Sequence, residues 1–167
     1  VPSVVWQIVE NVAFFARADR RVDQRSGVSQ RLPITVIESV VSNAERRALA
    51  TGEERVVPRI SDIYAAAPSI TGKMELEYEG EQIGSERITA ELIRKACGAV
   101  FERAFTGVNT EKVVESFGMG KNLSIPELAP DEEVLLQFRK IPELVETAEK
   151  GRFDSDDDEL LNIKCEL

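Results

Sequence analysis

With 167 residues, 43% of them apolar and 31% charged, the chain is long and apolar enough to bury a core and is not of disordered composition. It has no histidine and only two cysteines, Cys97 and Cys165, which excludes histidine-based triads, histidine general bases and a structural zinc site, and points to a reducing compartment. The net charge of −9 and pI near 4.7 disfavour nucleic acid as the main partner.

Ser3 to Asp19 reads as an amphipathic helix, because Val5, Ile8, Val9, Val12 and Phe15 recur at three- and four-residue spacing. A polar, arginine-rich loop follows from Asp19 to Arg31, with Ser26–Gly27 as a turn signal. Pro33 suits the first turn of a second helix. Its expected inward stripe is Ile34, Ile37, Val41, Ala44 and Ala48, and it should stop near Thr51–Gly52. A short third helix is expected from Pro58 to before Pro68, with Ile60, Ile63 and Tyr64 inward. The period then changes. Met74, Leu76 and Tyr78 alternate with Glu75, Glu77 and Glu79, a strand pattern with one wet face. Gly80–Glu81 is a plausible tight turn into a return strand at Gln82–Ile83, giving a hairpin over about 74–83 that must lean on helices.

Helical periodicity resumes near Thr89 and runs through Phe105, with Leu92, Ile93, Ala96, Val100 and Phe101 inward. Asn109 is a good N-cap for a helix through Phe117, which Gly118 and Gly120 end. Pro130 with Asp131, Glu132 and Glu133 opens another helix, the acids favouring its positive end. Pro142 breaks or kinks it, Gly151 stops the next segment and Ser155 caps a last helix. The expected fold is mainly α: a helical domain with a small β-hairpin over 1–106, then a helical C-terminal extension over 107–167. No apolar run approaches the ~18 residues of a membrane span. Val1 to Ala16 is broken by Gln7, Glu10 and Asn11 and lacks the basic start of a signal peptide. No membrane association and a cytoplasmic location are therefore expected. The first residue is Val1 rather than Met, and the chain reads as a piece of a larger protein.

Charge is uneven along the chain. Residues 1–60 carry nine Lys and Arg against seven Asp and Glu, a net of +2; residues 61–167 carry twelve against twenty-three, a net of −11. Five arginines, Arg17, Arg20, Arg21, Arg25 and Arg31, fall within 15 residues, against Asp19 and Asp23. They read either as solvated surface or, at Arg31, as a planar, permanently charged fork suited to a phosphate delivered from another surface.

Other motifs fall short of chemistry. Gly118-Met119-Gly120-Lys121-Asn122 imitates the end of a phosphate-binding P-loop, but Glu115 and Asn122 stand where Gly and Ser or Thr are required. Gly72–Lys73 fails in the same way, with Ala67 and Met74. Asp154, Asp156 and Asp158 resemble the start of an EF-hand loop, but Glu159 replaces its glycine and Cys165 its final glutamate. No metal site and no phosphate-cradling loop are expected. Glu75, Glu77 and Glu79 read as the solvated face of a strand rather than as an acid–base pair.

A set of segments is more specific together than any alone: Arg25-Ser-Gly-Val-Ser-Gln-Arg31, a helix carrying Asn43-Ala-Glu-Arg-Arg-Ala-Leu49, Gly52–Glu53, Val57-Pro-Arg-Ile-Ser-Asp-Ile63 and Gly72-Lys-Met-Glu-Leu76. This series resembles the C-terminal part of magnesium-chelatase-type AAA+ ATPases, in particular the bacterial chelatase subunit I-like proteins, relatives of the MoxR group. It covers about residues 3–105, and more loosely runs on to Leu136. The resemblance implies a helical lid that follows a P-loop α/β core. The sensor-2 motif of MoxR-like lids reads Gly-x-Ser-Pro-Arg; Gly27, Ser29 and Arg31 match it, and Gln30 stands in place of its proline.

By that resemblance Arg31 would be the sensor-2 arginine, reaching the γ-phosphate of ATP. Gly27, Ser29 and Arg25 would belong to the same nucleotide-binding region. ATP and magnesium would be held by an upstream core of the same chain, within a ring of protomers. A von Willebrand A-type protein would be a partner. The fragment alone would be no enzyme, whereas its full-length parent would be an ATPase that remodels or metallates a client. A stand-alone helical adaptor remains the alternative. A small enzyme for acidic substrates is a third, but no nucleophile or base accompanies the arginines.

Overall fold

The computed structural model describes residues 1–25, 27–153 and 161–167. Among them the chain is mainly helical. In order, the helices are α1 (Ser3–Ala18), α2 (Leu32–Thr51), α3 (Ile60–Ala65), α4 (Ala67–Thr71), α5 (Tyr78–Ile83), α6 (Ser85–Ala104), α7 (Glu111–Gly118), α8 (Asp131–Phe138), α9 (Pro142–Glu149) and α10 (Leu161–Glu166).

The spacing that predicts α1 becomes its buried face. Val5, Ile8, Val9 and Val12 are fully enclosed, and α1 lies along α6, whose Ile88, Leu92, Ile93, Ala96 and Val100 face it across the core. The helix α2 packs on α1, α3 and α4, and α4 closes against α6. Pro33 sits in the first turn of α2, and Gly52, at φ 75°, ends it in the left-handed conformation that a side chain would resist. The buried stripe of α2 is Leu32, Val36, Ile37, Val40, Ala44 and Arg47. It is therefore rotated from the expected one: Ile34 is 57% exposed. Tyr64 likewise points outward from α3; α3 ends before Pro68, as expected, and Pro68 stands in the first turn of a further helix, α4.

The expected hairpin over 74–83 is not formed. Tyr78–Ile83 coils as α5, and Tyr78 is 73% exposed. Met74 and Leu76 do turn inward onto the main core, as their alternation requires, but their strand partner is the arginine loop. Val22 pairs antiparallel with Leu76 and Val28 with Met74. These two valines are the inward apolar residues of an otherwise polar loop, so they serve both the core and the ladder. A two-residue return strand at Gln82–Ile83 offers less on either count.

The tail builds a second, smaller apolar cluster from Ala129, Val134, Phe138, Ala148 and Cys165. The helix α10 packs on α8 and α9, and also touches α3, while Ile163 and Leu167 join the main core. Pro142 breaks the helical run, as expected: α8 ends at Phe138 and Pro142 opens α9. Gly118 and Gly120 close α7, as expected of a helix end. Asp154, Ser155, Asp156 and Asp158 lie outside the described residues.

Body and tail meet at a network of charges. Arg47 and Arg59, two of the largest fully buried side chains, lie at its centre. Arg47 Nη1 donates to both Asp62 oxygens, at 2.9 and 2.8 Å, and its Nη2 donates to the Val57 carbonyl at 2.7 Å. Asp62 also accepts the Arg59 N–H at 2.7 Å, which caps the start of α3. Arg59 reaches out to Asp131, its Nε lying 2.9 Å from Oδ1.

Glu166 completes the seam by accepting the Ile60 N–H at 2.8 Å. Burial raises its carboxyl above the ordinary 4.5, against the lowering effect of the Ile60 N–H and of Arg59. The folded state thus holds this proton more tightly than the unfolded one. The stability that Glu166 contributes is therefore greatest below 4.5 and is lost as pH rises through the raised value. Glu166→Gln keeps an oxygen for Ile60 and removes the titration. In paired urea melts, the advantage of the native chain over the variant is expected to shrink from acid to neutral pH. An advantage that grows with pH would show a carboxylate stabilised in its ionised form.

Candidate functional site

The arginine loop between α1 and α2 is anchored by backbone, so its side chains are presented by a fixed frame. The Asp23 N–H donates to the Glu75 carbonyl at 2.9 Å, and the Glu75 N–H donates to the Gly27 carbonyl at 2.8 Å. On one side of these the Glu77 N–H donates to Arg21 O at 2.9 Å; on the other the Ser29 N–H donates to Lys73 O at 3.1 Å. The segment 73–77 is thus bonded to both legs of the loop. Gly27 is buried, and its own N–H is already bonded to Asp23 O at 3.0 Å. A Cβ there would fall 1.9 Å from that same oxygen, so only glycine allows the approach. Gly27 therefore shapes the frame; its N–H is not free for a phosphate.

Ser29 and Arg31 are brought together. The Arg31 N–H donates to Ser29 Oγ at 3.3 Å, and the Leu32 N–H donates to the Ser29 carbonyl at 3.1 Å, which turns the chain into α2. Arg31 occupies the N-cap position of α2 with φ −84° and ψ 0°. Its side chain is exposed, and among the described residues nothing hydrogen-bonds or pairs with its guanidinium. Arg25 is also exposed, on the far side of the turn, with its N–H on Asp23 Oδ1 at 2.6 Å.

The five arginines divide by environment. Arg21 is a brace: its Nε and Nη2 grip Asp19 at 3.0 and 2.7 Å, and its Nη1 reaches Glu91 on α6 at 2.7 Å. Hydrogen bonding to Asp19, then to Glu91, raises the Arg21 pKa further, and the Arg21 side chain holds Asp19 below the ordinary carboxylate range. Arg17, Arg20, Arg25 and Arg31 all face solvent. Around the opening of α2 this leaves a positive surface in which Arg31 stands exposed at the start of a 20-residue helix whose positive end faces the same solvent. Such an arrangement can bind an oxyanion.

Other candidate chemistry is quiet. Burial pushes the Cys97 thiol up to about 11 and the Cys165 thiol up to about 12, so both stay protonated at neutral pH. No group of three or more Cys, Asp or Glu residues among those described is arranged to hold a metal ion. No helix among them is long and apolar enough to cross a membrane.

The Arg47, Asp62, Arg59 and Asp131 network escaped the sequence reading. One signal was present: Val36, Val40 and Ala44 continue at helical spacing to Arg47, which puts a charge on a buried stripe and demands a partner. Comparison with protein-family models, curated proteins and solved structures finds no match to this chain.

Proposed function

We propose that the chain is the nucleotide-sensing lid, with its helical tail, of a cytoplasmic AAA+ ATPase of the magnesium-chelatase and MoxR kind. One observation above all supports this reading: Arg31 stands exposed and unpaired at the opening of α2, on a loop pinned through Asp23, Gly27 and Ser29 to segment 73–77. Arginine is suited to the part, because phosphoryl transfer is catalysed largely by positive charge placed on the transferring group, often from another domain. The P-loop, ATP and magnesium would belong to a core domain of the same ATPase, and neighbouring protomers would complete a ring. Closure of the lid would bring Arg31 to the γ-phosphate, so that hydrolysis is felt as a lid rotation. The client, and any von Willebrand A-type partner, would be moved by that rotation.

On this reading the chain by itself does not bind nucleotide tightly. Calorimetric titration with Mg-ATP is expected to give no saturable heat at submillimolar nucleotide, because one guanidinium replaces neither a P-loop nor its magnesium ligands. A micromolar dissociation constant would sink the lid reading. The adaptor alternative draws on a different observation. Trp6 and Phe14, two turns apart on α1, are 40% and 64% exposed, which suits a protein contact. The reading frame upstream of Val1 separates the two: a P-loop motif there favours the lid, a start codon the adaptor.

A further inference from the structure

We infer that α8 and α10 form a releasable latch on the α2–α3 unit, seated by carboxylates on that unit's buried arginine and unpaired backbone N–H groups. The inference stands independently of the nucleotide reading. Three joints make the seam. At the start of α8, Asp131 takes the Arg59 guanidinium, and its own N–H donates to Glu53 Oε1 at 2.8 Å. Glu53 is steadied in turn by the Thr51 hydroxyl at 2.7 Å. From α10, Glu166 accepts the N–H groups of Ile60 and Ser61 at 2.8 and 3.4 Å; as first-turn amides, these have no partner within α3. Asn162 Nδ2 ties α10 back to the Asp131 carbonyl at 3.3 Å.

Several features make this seam separable rather than merely cohesive. The tail keeps its own apolar cluster, and among its described residues it lends the main core Phe153, Ile163 and Leu167. Among the described residues α3 is the one body helix that a tail helix touches. The joints themselves are polar. A buried ion pair roughly cancels its own desolvation cost, so it fixes geometry more than it holds surfaces together, and both partners regain water when the surfaces part. The seam is also incompletely filled. A cavity of about 180 Å³ lies between Val57, Arg59, Asp131, Leu135 and Asn162, and buried Asn162 Oδ1 has no hydrogen-bond partner. Across this cavity the two sides make no direct dispersion contact. Opening uncovers Arg59 and the first amides of α3; Arg46, exposed already, lies on the same side and pairs with Glu127. That is a carboxylate-binding face, which the chain keeps filled with its own acids.

Two amides report the latch directly, because each is bonded across the seam: those of Ile60 and Asp131. In native-state hydrogen exchange of the whole chain, both are expected to exchange at a common rate, faster than the core amides of α1 and α6. Val12→Ala, a change confined to the main core, should speed exchange in α1 and α6 and leave the Ile60 and Asp131 rates where they were. Asp131→Asn should speed the Ile60 amide by roughly tenfold or more, the loss expected from weakening a hydrogen bond to a charged group. If Val12→Ala accelerates the seam amides by the same factor as those of α1 and α6, body and tail unfold as one unit and the latch is overturned. It is equally overturned if Asp131→Asn leaves the Ile60 rate unchanged.

Discussion

Replacing Asp62 with alanine is expected to cost about 3–5 kcal/mol of folding free energy, because it breaks a buried ion pair by removing one partner. The Arg47 side chain is 2% exposed and that of Asp62 8%, so neither can turn to water when the other is lost. Alanine would strand the Arg47 guanidinium, whose Nε already lacks a partner, and would leave the Arg59 N–H without its acceptor. Against the 5–15 kcal/mol that a domain typically has, this is a large share, and for a chain of this length it corresponds to a fall in Tm of about 6–20 °C. Asp62→Asn should lose less, since it keeps one acceptor oxygen in place while giving up the charge and the second acceptor. The double variant Arg47→Met, Asp62→Leu should recover most of the loss, because it removes both desolvation penalties together. Thermal and urea melts of the four chains decide the matter. A loss below about 1 kcal/mol for Asp62→Ala would show a pair far better solvated than its geometry implies.

How much of this was legible beforehand follows from the range over which each signal acts. Helix α1 was readable because its apolar residues keep one spacing within a single element. The ends of α2 were readable because Pro33 and Gly52 act through their own backbone. The inward face of α2 was misjudged because Ile34, an apolar residue at its start, faces solvent, whereas Arg47 near its end is buried. The alternation at Met74–Leu76 was real, but a period of two says only which residues share a face, never which segment supplies the partner strand. That partner, Val22 and Val28, lay some fifty residues upstream, hidden in a loop whose arginines drew the eye. The Arg59–Asp131 joint spans 72 residues and leaves no local trace. Charge identity does not mark Arg59 as buried or Asp131 as its partner; only the assembled fold does. At the candidate site, Arg31 and Ser29 were readable from motif and turn chemistry, while the packing role of Gly27 needed the position of Asp23 O.

The other large effect concerns activity instead of stability. In the full-length ATPase proposed above, Arg31→Ala is expected to slow hydrolysis roughly 10- to 1,000-fold, about 1.4–4 kcal/mol of transition-state stabilisation. The guanidinium is already free, exposed and carried on a pinned loop, so no internal ion pair has to be broken before it reaches a phosphate. Arg31→Lys should rescue the rate poorly, because an ammonium cannot make the two-pronged contact of a guanidinium. Folding should scarcely notice either change: an exposed side chain without partners contributes within about 0.5 kcal/mol. Arg21 is the internal control. It braces Asp19 and Glu91, so Arg21→Ala should loosen the loop's attachment to α6 and lower the melting temperature, the reverse of the Arg31 pattern. Paired ATPase assays and melts of the two variants separate a phosphate-facing arginine from a structural one. A chain that unfolds without Arg31 while the parent's hydrolysis survives would make Arg31 a structural residue and leave the adaptor reading, with Trp6 and Phe14 as its contact surface, the stronger of the two.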